Sequence, residues 1–261
     1  MKWLITLVIT SALFLTSAEQ AQARRQASKG GREFRFRPGF LYGRVDYNSA
    51  SYSTNAVTTF DGYQYGTRSD LEFWFNPRLG AMLEGMYMNA QLLGNSTRFR
   101  GKPIYHVWGA ANFGLRLAGT GGAMNSEFVT FVGPALESFS DVRAYRGQTF
   151  YDLKRPQIFG LKAGFRWRWA FAKDQIFELG GFWITPLLLQ TNGTGDTLTK
   201  GATRSFGTLV SYEKCMSDGI NLGVGFNYEK HRLQYKLGGA PGPQVIDFNL
   251  TTGILFIRLW I

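Results

Sequence analysis

Residues 159–171 read Phe-Gly-Leu-Lys-Ala-Gly-Phe-Arg-Trp-Arg-Trp-Ala-Phe, and their order decides the fold class. Phe159, Leu161, Ala163, Phe165, Trp167, Trp169 and Phe171 take alternate positions. Gly160, Lys162, Gly164, Arg166, Arg168 and Ala170 take the others. A β-strand sends successive side chains to opposite faces, so one face is wholly apolar and the other carries three cations. A soluble half-buried strand also alternates, but it seldom turns Trp, Trp and Phe to its core while lining up Lys, Arg and Arg. Lipid on one side and a wet lumen on the other require that division.

The N-terminus points to the compartment. Lys2 supplies a positive n-region, residues 3–15 an apolar h-region, and Ala21-Gln22-Ala23 a small-x-small cleavage site. The apolar run is shorter than the ~20 residues of a spanning helix. The expected organisation is a signal peptide over 1–23 read by a Sec-type route, a flexible basic arm over 24–33, and one barrel over 34–261. No run of ~18 apolar residues follows the signal segment, so a spanning helix is not expected. Only helices and closed barrels satisfy their backbone inside a bilayer. The exported chain is therefore an outer-membrane barrel or a secreted all-β protein.

Cys215 is the only cysteine, which excludes an internal disulfide. His106 and His231 are the only histidines, and no His/Cys cluster has zinc spacing, so neither metal nor cofactor is expected. The formal charge is +11 and the pI about 9.8. The location of the cations matters more than their total, and nucleic acid is not needed to explain them.

Period-two patterning predicts ten strands, with eight or twelve as alternatives: about 36–47, 59–75, 79–92, 104–117, 127–139, 159–171, 176–189, 204–216, 220–231 and 246–261. In the first, Leu41, Val45 and Tyr47 oppose Tyr42, Arg44 and Asp46. In the third, Glu84 conflicts with Asn89 and Gln91, which suggests a bulge. The fifth is broken by Pro134. Long connections, such as 48–58, 94–103, 140–156, 190–203 and 237–244, alternate with mostly short turns at 76–78, 173–174 and 217–219. Long extracellular loops, short periplasmic turns and an even strand number are the rhythm of outer-membrane barrels.

On these features, residues 34–261 resemble the single-chain bacterial outer-membrane β-barrels. Segments 159–171 and 220–231, the loop rhythm and the last strand carry the resemblance. Such proteins end on an alternating strand with a terminal aromatic, which the barrel-assembly machinery reads; Gly253, Phe256 and Trp260 resemble that signal. The chain departs from it by ending on Ile261 and by placing Arg258 on the Phe256/Trp260 face. The resemblance implies an all-β, antiparallel up-and-down transmembrane barrel in the outer membrane. Its partners would be outer-membrane lipids, including lipopolysaccharide, and the assembly machinery. Aromatic belts are expected, with Trp169, Phe171, Phe177, Tyr212 and Trp260 near the periplasmic interface. Tyr47, Tyr63, Tyr65, Tyr105 and Tyr228 would mark the outer one.

The residues expected in the lumen are Arg44, Asp46, Arg68, Asp70, Glu72, Arg116, Lys162, Arg166, Arg168, Glu178, Glu213, Glu229 and His231. Ten strands enclose little more room than eight, whose interior side chains fill. Opposite charges there pair into a ladder that plugs or constricts the barrel; the alternative is a narrow anion-favouring passage. Glu229 and His231 share a face near the rim, where a carboxylate beside an imidazole could serve a hydrolase, although no nucleophile is marked. Arg98, Arg100, Lys102, Arg143, Arg146, Lys154, Arg155, Lys200 and Arg204 fall on the extracellular side, with Arg232 and Lys236. They suit lipopolysaccharide phosphates, or are ordinary solvated loops. The expectation is a non-enzymatic barrel, either a narrow or plugged small-solute channel or a structural and surface-interaction protein. A rim hydrolase and a secreted lipid-binding barrel with reversed faces are the alternatives.

Overall fold

The computed structural model describes residues 32–51, 56–91, 103–118, 126–144, 151–154, 156–172, 174–191, 195–236, 238 and 242–260. The expected signal peptide, nearly all of the arm, and Arg98, Arg100, Lys102, Arg146 and Arg155 lie outside them. Arg143 and Lys154 are described in their backbone only.

Period-two patterning becomes strand along the whole described chain: β1 Glu33–Ser51, β2 Ala56–Trp74, β3 Leu79–Gln91, β4 Pro103–Ala118, β5 Ser126–Ser138, β6 Asp141–Ala144, β7 Tyr151–Lys154, β8 Gln157–Ala172, β9 Gln175–Gln190, β10 Thr197–Leu198, β11 Arg204–Ser217, β12 Ile220–Lys236 and β13 Pro243–Trp260. Ten of them form one antiparallel sheet in the order β1-β2-β3-β4-β5-β8-β9-β11-β12-β13, and β13 pairs back onto β1 to close it. Closure leaves no sheet edge for lipid to meet. The strands β6 and β7 form a separate hairpin within the β5–β8 connection, and β10 pairs with the outer end of β12.

Alternation sorts the faces. Phe40, Leu83, Phe113, Leu136, Leu161, Phe165, Val224 and Leu255 are exposed on the outside. A soluble monomer rarely shows a continuous apolar girdle of this extent, whereas a transmembrane barrel requires one. The secreted alternative needed these faces inside and is overturned. The chain is a transmembrane β-barrel of the outer-membrane type, with both described ends of the sheet at the end that is periplasmic in such proteins.

Three expectations fail locally. Residues 48–58 are not a loop: β1 and β2 run to Ser51 and from Ala56, leaving only 52–55 between them. Each is 19 residues long, against ~9–11 needed to cross, so this ladder stands out beyond the hydrocarbon, where Ser, Thr and Asn suit a solvated strand. No bulge splits β3: its register with β2 is continuous, Glu84 points inward, and Asn89 points outward to donate to the Tyr65 hydroxyl at 3.0 Å. The face of β1 is the opposite of the one expected, along its whole length. Leu41, Val45 and Tyr47 are buried inside, while Arg44 and Asp46 are on the outer surface.

The periplasmic turns are built as expected. Asn76 Oδ1 accepts from the backbone N–H of Arg78 and Leu79 at 2.8 and 2.9 Å, closing the β2–β3 turn. Gly219 adopts φ 89° between β11 and β12, a left-handed conformation that glycine tolerates. Cys215 is exposed beside that turn.

The interior has two halves. Leu41, Val45, Tyr47, Phe139, Ile158, Ile184, Leu233, Tyr235, Ile246, Phe248 and Leu250 fill the extracellular half. Below them the lumen is charged.

Candidate functional site in the lumen

The inward positions of all ten barrel strands bring arginines and carboxylates from non-neighbouring strands to one axis. At the periplasmic end, Arg35 donates to Glu127 at 2.9 Å and to Glu33 at 2.6 Å. Arg116 donates to Glu127 at 3.0 Å, to Glu33 at 3.1 Å and to the Pro77 carbonyl at 3.0 Å. Two aromatic faces floor this layer, Trp260 beneath the Arg35 guanidinium at 4.2 Å and Trp74 beneath that of Arg116 at 4.0 Å.

The next layer is denser. Glu178 accepts from Arg37 at 2.7 Å, Arg168 at 2.6 Å and Arg258 at 2.6 Å. Glu72 accepts from Arg166 at 2.6 Å and Arg168 at 3.0 Å, and Arg37 also donates to Asp70 at 2.8 Å. Arg258 pairs with Glu213 at 2.9 Å. Lys162 and Arg166 both close on Glu84. The Lys162 ammonium further lies 4.1 Å from the Trp108 ring centroid and 4.4 Å from that of Phe182. Burying one ion costs several kcal/mol, and partners on several sides offset that cost. Each of these cations has such partners. The three cations of the 159–171 stretch are thus engaged, not left as an anion-attracting excess.

At the upper boundary Arg68 donates to Asn227 at 3.1 Å and to Glu229 at 3.4 Å. His231 holds Glu137 through Nδ1 at 2.8 Å and Glu229 through Nε2 at 3.0 Å. Ser205 donates its hydroxyl to the other oxygen of Glu137 at 2.8 Å. A serine hydrolase would need that hydroxyl on the imidazole. Here both ring nitrogens face carboxylates, and His231 is wholly buried.

Of the expected lumen residues, Arg68, Asp70, Glu72, Arg116, Lys162, Arg166, Arg168, Glu178, Glu213, Glu229 and His231 are buried inside. Arg44 and Asp46 are corrected: they form an exposed cluster with Asp61 on the outer wall. Tyr63, Tyr65, Trp169 and Phe171 are exposed on the outside, with Trp167, Trp169, Phe171 and Tyr212 forming a row of ring contacts at 5.8–6.4 Å. Trp260 is corrected from belt to lumen, under Arg35, and Tyr47 is likewise inside. Lys200 and Arg204 are exposed at the extracellular end.

Sequence reasoning missed Glu33, Arg35, Arg37, Glu127, Glu137 and Arg258, and left Glu84 undecided. The signal for the first three was present: Glu33-Phe34-Arg35-Phe36-Arg37 already alternates, but the basic arm was read up to its edge. Arg258 was noted only as a departure, although its place on the Phe256/Trp260 face put it inside.

No protein-family model matches the chain, and no curated protein matches it. Among solved structures, the outer membrane protease OmpT of Escherichia coli aligns at TM-score 0.46 and 9% identity, covering 88% of this chain and 96% of that one. OprG of Pseudomonas aeruginosa aligns at 0.41 and 12%, covering 88% and 95%. The COG4313 outer membrane channel of Pseudomonas putida F1 aligns at 0.39 and 10%, covering 87% and 95%. Likeness at this level carries no functional inference.

Proposed function

We propose that this barrel is a non-enzymatic outer-membrane protein whose lumen is closed by its own side chains, and which acts through its extracellular and lipid-facing surfaces. The observation that carries the reading is the stack of buried side-chain layers across the lumen among the described residues, from the Arg35–Glu127 layer up to the apolar layer at Leu233 and Phe248. Among the described residues, a cavity lined by Arg37, Arg68, Leu209 and Phe256 has about 10 Å³, room for roughly one water. A hydrated ion needs a continuous path. The saturated hydrogen bonds of His231 speak against the hydrolase alternative.

The surface component rests on Arg204 and Arg232. They stand directly opposite each other in the β11–β12 ladder, and each alternates with a buried neighbour, so both point outward. Like charges so placed repel, and Asp247, 3.8 Å from Arg232, is a weak offset. Lys230 follows on the same face, opposite Phe206, which stacks on Trp183 with ring centroids 5.8 Å apart. Cations above an interfacial aromatic floor suit the phosphates of lipopolysaccharide.

Planar-bilayer recording of the purified full-length barrel tests the closed lumen. The expected trace is silent; reproducible ohmic steps from the wild type would overturn it.

A further inference from the structure

We propose that His106, Glu229 and His231 form a binding site for a divalent transition-metal ion of the zinc class. No motif marks it, because β4 supplies one ligand and β12 the other two. On β12 the spacing of two places Glu229 and His231 on one inward face, and the closed sheet brings His106 across to them. One ligand atom from each lies within 4.8 Å of the others, and all three residues are buried. Two imidazoles and a carboxylate are a zinc donor set, with bonds of roughly 2.0–2.2 Å. An inward movement of about 1 Å would bring the donors to that length.

Three independent observations favour a cation here. His106 is completely buried, and among the described residues its ring nitrogens have no side-chain hydrogen-bond partner, only an approach to the Ser138 backbone. Its ring is walled by Phe139 and Phe248 and lies 4.3 Å from that of His231. An imidazole in that position bears the desolvation of its ring nitrogens with little in return, and a metal bond removes that cost. Second, the carboxylates are under-neutralised compared with those of the plug below. Glu178 holds three arginines at 2.6–2.7 Å, whereas Glu229 has a single arginine, Arg68 at 3.4 Å, besides His231 at 3.0 Å. Among the described residues Glu137 has no arginine or lysine partner.

Third, the supporting shell is already built. A metal-bound histidine ordinarily donates its second N–H to a carboxylate, which fixes ring and tautomer. His231 makes that contact through Nδ1 to Glu137, itself held by Ser205 at 2.8 Å, leaving Nε2 on the Glu229 side. Glu229 is oriented in turn by Asn227 at 3.1 Å and by the Trp108 indole N–H at 3.0 Å. The ion would replace the proton between His231 Nε2 and Glu229. It would tie β4 to β12 where the charged and apolar halves of the lumen meet.

The test uses the full-length barrel, purified in detergent without a polyhistidine tag, stripped with chelator, and titrated with Zn²⁺ and separately with Co²⁺. Elemental analysis after desalting is expected to find one zinc per chain, and Co²⁺ to give the intense visible bands of a tetrahedral nitrogen-containing site. His106→Ala is expected to abolish retention, and Glu137→Gln, which removes the negative charge of the supporting group, to weaken it about 10–100-fold. Folding of each variant is checked by heat-modifiable gel migration. Zinc absent from the folded wild type, or retained equally by His106→Ala, overturns the proposal. If His106→Ala does not fold, the wild-type stoichiometry and cobalt spectrum decide, and pale octahedral cobalt counts against it.

Discussion

Arg37 and Glu178, 141 positions apart in the sequence, meet across the lumen with Nη1 donating to a carboxylate oxygen at 2.7 Å. The bond joins β1 to β9, which are not neighbours in the sheet. Side chains therefore brace the barrel across its diameter as well as around its wall.

Glu178 is the hub of that brace. Glu178→Gln leaves Arg37, Arg168 and Arg258 without the charge they share, and removing one member of a buried ionic group costs about 3–5 kcal/mol. Urea unfolding, followed by loss of the heat-modifiable gel shift, should show a correspondingly lower midpoint. An unchanged midpoint would mean that the brace adds nothing to stability.

Arg44 and Arg68 lie on the same ladder yet on opposite walls. The Arg44 side chain is 60% exposed and its partners Asp46 and Asp61 are 53% and 61% exposed, so solvent screens the cluster. Arg44→Ala should leave the unfolding midpoint where it is. Arg68→Ala should lower stability by about 3 kcal/mol, because Glu229 and Asp70 lose a buried partner. Measuring both under one urea series checks the reversed face of β1 directly.

Gly133 is fixed by close approach. A Cβ there would lie 2.0 Å from the Ala111 carbonyl oxygen and 2.6 Å from the Asn112 Cα, so β4 would have to move away from β5. The ladder already lacks a donor beside it, at Pro134. Gly133→Ala should reduce the yield of heat-modifiable barrel severely, while Gly201→Ala, which meets nothing within 4 Å, should not.

Replacing both Arg204 and Arg232 by alanine removes the opposed pair of cations. Native mass spectrometry of the purified barrel should then show less co-purifying lipopolysaccharide than wild type, with unchanged gel migration. Equal lipid content would end the phosphate reading of this face.

Much of the fold was legible because lipid enforces one rule on every strand: the outward side chain must be apolar. Residues 159–171 obey it without exception, and the order Phe-Gly-Leu-Lys leads straight to the wall and lumen seen. The rule lapses above the hydrocarbon, and the errors gather there. Arg44 and Asp46 were assigned inward because they are charged, but at their height the lumen is apolar and the outer surface is wet. Trp260 was taken for an interfacial anchor because tryptophan favours that layer; facing inward, it offers its ring to Arg35 instead. The cross-lumen contacts were beyond any local pattern. Nothing near His231 names His106 or Glu137, since closure of the sheet alone makes them neighbours.

Closure also dictates timing. The strand that completes the cylinder follows the other nine barrel strands in the sequence, and it must pair with the first along a ladder running from Arg35 opposite Trp260 to Ser51 opposite Gln244. Until β13 leaves the ribosome, β1 has no partner on that side and offers a bare edge. No N-terminal fragment can be a finished barrel. The chain folds after synthesis, at the slow rates of contacts between sequence ends. A stop a few residues before Trp260 opens the periplasmic end of that seam, where Arg35 stands opposite Trp260.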